Sequence, residues 1–123
     1  MTMAERALAA LAGLAGLLGV AVSAAAAHAG GGTSLDTAGR FLLIHAAAML
    51  AVASALRAAL LARPLGTLAG FLMAAGTALF CGDLARRGFQ GAALFPMAAP
   101  VGGVLLMSGW FMLAAAALWP RRG

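Results

Sequence analysis

The amino-acid sequence predicts an all-α integral membrane protein, a four-helix bundle of up-down topology. Composition is the first reason. Of 123 residues, 64% are hydrophobic and 9% charged, with a mean hydropathy of +1.03. A water-soluble domain coats itself with roughly a quarter charged residues, so this composition excludes a free globular domain, a disordered tail and a soluble enzyme. Spacing is the second reason. The charged residues cut the chain into four apolar runs, each near the ~20 residues that cross a hydrocarbon core as a helix. The third is pattern: the runs are apolar on every side, without the short polar-apolar alternation of barrel strands.

Taken in order, the predicted spans are about 7–27, 36–61, 65–87 and 101–119, in a single membrane domain. The first follows Arg6 and is densest from Leu8 to Ala27. Its basic start, apolar middle and Ala25-Ala26-Ala27-His28-Ala29 end also describe a secretory signal peptide; we read it as a retained helix. Gly30-Gly31-Gly32 makes a flexible turn, with no Lys-Ser/Thr after it to form a phosphate loop. Thr33-Ser34-Leu35-Asp36 has the spacing of a capping box and is expected to start the second helix near Leu35. That helix runs past Arg57, which can snorkel to the interface, and on to Leu61. The third begins beyond Pro64, and the fourth follows Pro96 and Pro100 and stops at Pro120. The connection from Gly88 to Pro100 carries Phe89, Leu94 and Phe95, which suits a segment lying on the membrane surface or folded back between helices.

The net charge of +5 and pI near 11.8 do not indicate nucleic acid. All eight basic residues are arginines, placed singly or in pairs at the ends of apolar runs. That is how membrane helices anchor to headgroups, and no clustered basic face exists. With an inward N-terminus, Arg6, Arg57, Arg63, Arg121 and Arg122 face the cytoplasm and Arg40, Arg86 and Arg87 the opposite side. The majority favours both termini inside, in a bacterial inner membrane.

Helix association within lipid depends on close backbone approach. Gly66, Gly70, Ala74, Ala78 and Gly82 recur every fourth residue along the third helix and are expected to form a small-residue packing face. Gly13, Gly16 and Gly19 of the first helix show a weaker version.

Polar residues within the spans are functional candidates by default. His28, His45 and Asp83 are expected toward the outer leaflet, His45 about five residues or roughly 7–8 Å beyond Arg40. One reading joins the three as a ligand site for a quinone, a lipid headgroup, or a haem or metal. The other is structural: Asp83 pairs with Arg87 at i,i+4 or Arg86 at i,i+3, His28 caps a helix end, and neutral His45 donates to a backbone carbonyl. Cys81 alone allows neither an internal disulfide nor a multi-cysteine metal site. The serines lack triad context and no carboxylate pair serves acid-base chemistry, so no catalytic residue is expected. Trp110 and Trp119 read as packing and interfacial anchors, and no helix presents a polar stripe to line a channel.

In this order the motifs resemble the YgdD-like family, small bacterial inner-membrane proteins of unknown function with mitochondrial relatives. The resemblance rests on Ala27-His28, Leu35-Asp36-Thr37, His45-Ala46, Phe80-Cys81-Gly82-Asp83-Leu84-Ala85, Ala99-Pro100-Val101-Gly102-Gly103 and Gly109-Trp110. It covers nearly the whole chain. Where the family typically has Phe-Ser-Gly-Ser-Leu-Tyr, cysteine, aspartate and alanine stand here at positions 81, 83 and 85. The resemblance implies four membrane helices and supplies no biochemical activity. The expected role is therefore non-catalytic, that of a structural or accessory subunit. Its partners are the lipid bilayer and another membrane protein, with no cofactor, no metal and no nucleic acid.

Overall fold

A computed structural model describes residues 1–29 and 32–120. It contains four helices, α1 (Met3–Ala29), α2 (Gly32–Arg57), α3 (Arg63–Gln90) and α4 (Ala98–Leu118), and all four are long and apolar enough to cross a membrane. Gly30 and Gly31 of the expected glycine turn, and Arg121 and Arg122 of the arginine count, lie outside the described residues. Each helix runs back along its predecessor. The N-terminus of α1, the N-terminus of α3 and the C-terminus of α4 meet at one end, joined by Glu5–Arg63 and by the Ala62 N–H donating to the Ala116 carbonyl.

The helix ends differ from expectation for local reasons. α1 begins earlier because Thr2 and Glu5 form a capping box: the Glu5 N–H donates to Thr2 Oγ1 (3.1 Å) and the Thr2 N–H to Glu5 Oε2 (2.9 Å). The capping box expected at Thr33–Asp36 is not made. Thr33 already lies inside α2, and the Asp36 carboxylate pairs with Arg40 at 3.0 Å. α2 stops at Arg57 rather than running to Leu61. Ala59 takes the left-handed conformation (φ 58°), while the Leu60 N–H reaches the Ala55 carbonyl and the Ala59 N–H that of Leu56. This is a Schellman closure with alanine where glycine is usual. Pro64 sits in the first turn of α3 and Pro100 in that of α4, where a missing N–H leaves no intrahelical bond unmade.

The bundle is an open chain of packed pairs. α1 lies on α2, α2 on α3 and α3 on α4; α1 only brushes α3, and no packed interface joins α1 to α4. Along α1 the buried side is Glu5, Leu8, Ala12, Ala15, Gly19 and Val22, an alternation of three and four that makes one seam. The closest approach of backbone to backbone is between α3 and α4. A Cβ on Gly102 would stand 2.5 Å from the Phe80 backbone nitrogen and 2.9 Å from its Cα. A Cβ on Gly76 would stand 2.8 Å from the Leu106 nitrogen, and one on Gly109 3.2 Å from the Ala69 carbonyl oxygen.

Substituting Gly102 by alanine must therefore push two backbones apart, and should lower stability by about 2–3 kcal/mol. Gly103→Ala, one residue along and facing open space, should be neutral or slightly stabilising. Unfolding of the two variants in mild detergent, side by side, checks this.

Candidate functional site

The polar side chains of the bundle fall into three groups, at its two ends and its middle. At the end holding the N-terminus, Glu5 is fully buried. Its Oε1 accepts from Arg63 Nη2 at 2.5 Å, and the same nitrogen reaches the Leu56 carbonyl at 3.3 Å. Arg63 is half exposed, as expected of a guanidinium whose stem lies along apolar surface while its head stays wet. One carboxylate thus ties together the starts of α1 and α3 and, through Arg63, the end of α2.

Asp83 plays the matching part at the other end. It is fully buried, with Oδ2 accepting from Arg87 Nε at 2.7 Å and Oδ1 from the Leu94 backbone N–H at 2.8 Å. Arg86 bonds Gln90 Oε1 (3.1 Å) and the Leu94 carbonyl (3.3 Å), rather than Asp83. These bonds fold the α3–α4 connection back over the bundle, bringing Leu94 to within reach of Gly82.

His45 lies at the midpoint of α2, which begins earlier than expected, and is buried. Its Nε2 accepts from the Trp110 indole N–H at 3.1 Å, and its Nδ1 lies 2.8 Å from the Phe41 carbonyl oxygen. Indole nitrogen only donates, so Nε2 is the unprotonated nitrogen and Nδ1–H donates to Phe41. Both nitrogens are satisfied by the neutral ring. Phe41 stacks against His45 with centroids 5.7 Å apart and meets Phe80 at 4.7 Å, while Trp110 approaches the imidazole edge-on at 5.8 Å. Trp110 is thus a hydrogen-bonding partner near the middle of α4, not an interfacial anchor.

Among the described residues no hydrogen bond or ion pair joins any two of His28, His45 and Asp83. His28 is exposed in the last turn of α1, and the other two are bound as above. No three His, Cys, Asp or Glu side chains among the described residues lie close enough to share a metal. Of the small-residue face on α3, Gly66 packs on Leu56 and Leu61, and Gly70 on Leu8. Ala74 and Ala78 line a cavity facing α1, and Gly82 lies under Leu94.

Sequence reasoning missed Glu5 and Thr77. The Thr-x-x-Glu spacing at Thr2–Glu5 was the signal for the first. For Thr77 there was none: it is buried, and its hydroxyl has no hydrogen-bond partner.

Trp110→Phe keeps the ring and removes the donor, and should cost about 1 kcal/mol in detergent unfolding. In a double-mutant cycle with His45→Leu, that loss should shrink by about half or more. Additive losses would mean that the bond contributes nothing.

Compared with known proteins, no solved structure matches this chain. A family model described as a protein of unknown function, DUF423, matches residues 22–103. The match takes in the last turns of α1, all of α2 and α3 and the start of α4, with His45, Thr77 and Asp83 inside it and Glu5 and Trp110 outside. The chain is thus a four-helix membrane bundle that belongs to the DUF423 family of proteins of unknown function.

Proposed function

We propose that this protein is a small, non-catalytic accessory subunit that packs laterally against a larger membrane protein in a bacterial inner membrane, a role suited to a YgdD-like protein with mitochondrial relatives. The division of its side chains supports this reading. The buried ionisable groups Glu5, His45 and Asp83 are engaged within the chain, and Cys81 is buried in an apolar setting. A nucleophile or general base must instead stand free within reach of a reacting atom. The outward faces of α1 and α4 offer large apolar side chains, among them Leu14, Leu17, Val20, Val104, Met107 and Phe111. These faces suit lateral contact with lipid or with another membrane helix.

For orientation we propose both termini on the cytoplasmic side. Arg6, Arg57 and Arg63 belong to the end that holds the N-terminus, Arg40, Arg86 and Arg87 to the other, so the majority rests on Arg121 and Arg122.

Extracted from its own membrane in mild detergent, the protein should migrate in one assembly of fixed stoichiometry, and deleting it should lower the yield of that assembly. Migration as the free chain, with every membrane complex intact after deletion, would refute the accessory role. Topology is checked separately. Buried Cys81 should stay silent toward a membrane-impermeant maleimide in intact cells. A cysteine at exposed Gln90 should react, and one at exposed Ala58 should not.

A further inference from the structure

Where α2 turns into α3, the Ala62 N–H holds the turn to the Ala116 carbonyl near the end of α4. Beside this bond a crevice of about 390 Å³ separates the turn from the last described residues. Ala59, Leu61 and Pro64 line it from the turn, and Trp119 and Pro120 from beyond α4. Arg63 also lines it, and is the charged member of the wall.

Arg63 has donors to spare. A guanidinium carries five N–H groups, and only Nη2 is engaged, with Glu5 and the Leu56 carbonyl. Nε and Nη1 have no partner among the described residues, and the side chain is 51% exposed. Glu5, by contrast, is sealed and offers an incoming anion no oxygen to meet. The Leu56 carbonyl lies one residue before Arg57, so both arginines stand at the end of α2. Arg57 is exposed and forms no ion pair among the described residues.

Charge, depth and the apolar surround restrict the occupant. Arg6, Arg57 and Arg63 face one side-chain carboxylate, Glu5, at this end of the bundle, so an anion is favoured over a cation or a zwitterion. Arg63 opens α3, at the edge of a hydrocarbon core about 30 Å thick, which is the level of the headgroup phosphates. Leu60 and Leu118, each next in sequence to a lining residue, are 62% and 85% exposed. A soluble anion gains nothing from them, whereas an amphiphile can lay its chains there. Trp119 is 62% exposed, and an indole is at home at exactly this boundary of apolar and polar surroundings.

We infer that this crevice holds the phosphate of an anionic phospholipid, bound by the free edge of the Arg63 guanidinium and by Arg57, with its acyl chains running down past Leu60 and Leu118. The inference is independent of the accessory role.

The test titrates the full chain, stripped of lipid in mild detergent, with dioleoyl phosphatidylglycerol or dioleoyl phosphatidylcholine and counts bound lipid by native mass spectrometry. One phosphatidylglycerol should bind in clear preference to phosphatidylcholine. Arg57→Gln should weaken it about fivefold, the effect of one basic residue near an anionic surface. Arg63→Lys keeps a cation for Glu5 but gives up the planar fork, and should weaken it as well. Arg40→Gln, at the opposite end, should bind like the parent, and millimolar inorganic phosphate should not displace the lipid. Equal binding of the two lipids would overturn the inference, as would an Arg57→Gln variant that binds like the parent or loses no more than Arg40→Gln. Displacement by inorganic phosphate or by an acidic peptide would assign the crevice to a soluble anion instead and overturn it too. Should Arg63→Lys fail to fold, Arg57→Gln and Arg40→Gln decide the matter alone.

Discussion

In lipid, helices gain nothing by hiding apolar surface from one another, so this fold depends on how closely α3 can approach its neighbours. α3 packs on α2 on one side and on α4 on the other, and those two helices have no packed interface with each other. Its Gly76 and Ala69 side meets Gly102 and Gly109 of α4, while its Gly66 and Gly70 side receives leucines from α2, the α2–α3 turn and α1. Small residues on both sides of one helix let it sit at backbone distance from α4 and still admit Leu8 and Leu56. Enlarging either side would detach part of the bundle rather than loosen it everywhere, because among the described residues no packed α1–α4 interface closes the ring.

The polar groups act as fasteners on that frame, each where packing alone is thinnest. α2 and α4 have no packed interface, yet the Trp110–His45 bond spans them, with Phe41 and Phe80 filling the space beside it. α1 only brushes α3, and there Glu5 reaches Arg63. The α3–α4 connection would otherwise lie loose on the membrane surface, and there Asp83 takes the Leu94 N–H. A buried carboxylate without a partner would be heavily penalised, so each of these residues has value only in the fold that supplies its partner. They specify which helix ends meet.

What could be read from the sequence follows from the same physics. Span number and length were legible because charges and prolines interrupt apolar runs, and the Asp83–Arg87 pair because i,i+4 geometry is local. The packed faces were not. Lipid-facing and core-facing positions are equally apolar, so the three-four alternation of Leu8, Ala12, Ala15 and Gly19 does not stand out from Leu11, Leu14, Leu17 and Leu18 beside it. The every-fourth-residue repeat on α3 caught Gly66 and Gly70 but passed over Gly76, whose partners Gly102 and Leu106 are on another helix. His45 and Asp83 were legible as polar residues in unusual places, but their partners, Trp110 and the Leu94 backbone, lie far along the chain. The Thr33–Asp36 cap competed with an Asp36–Arg40 pair at helical spacing, and the pair won because α2 begins before Thr33.

The two buried carboxylates also carry information about the membrane. Their arginine partners, Arg63 and Arg87, stand near opposite ends of α3, about 36 Å apart at the helical rise. That slightly exceeds a hydrocarbon core of about 30 Å. Both guanidiniums are half exposed while both carboxylates are sealed. A cation at that spacing can keep its head among phosphates and water and still neutralise an anion one turn deeper. Within a core of that thickness, His45 and Thr77 fall near the centre, where neither water nor headgroups can serve them. His45 finds its partners inside the chain, and Thr77 is left with a hydroxyl that the protein itself does not satisfy.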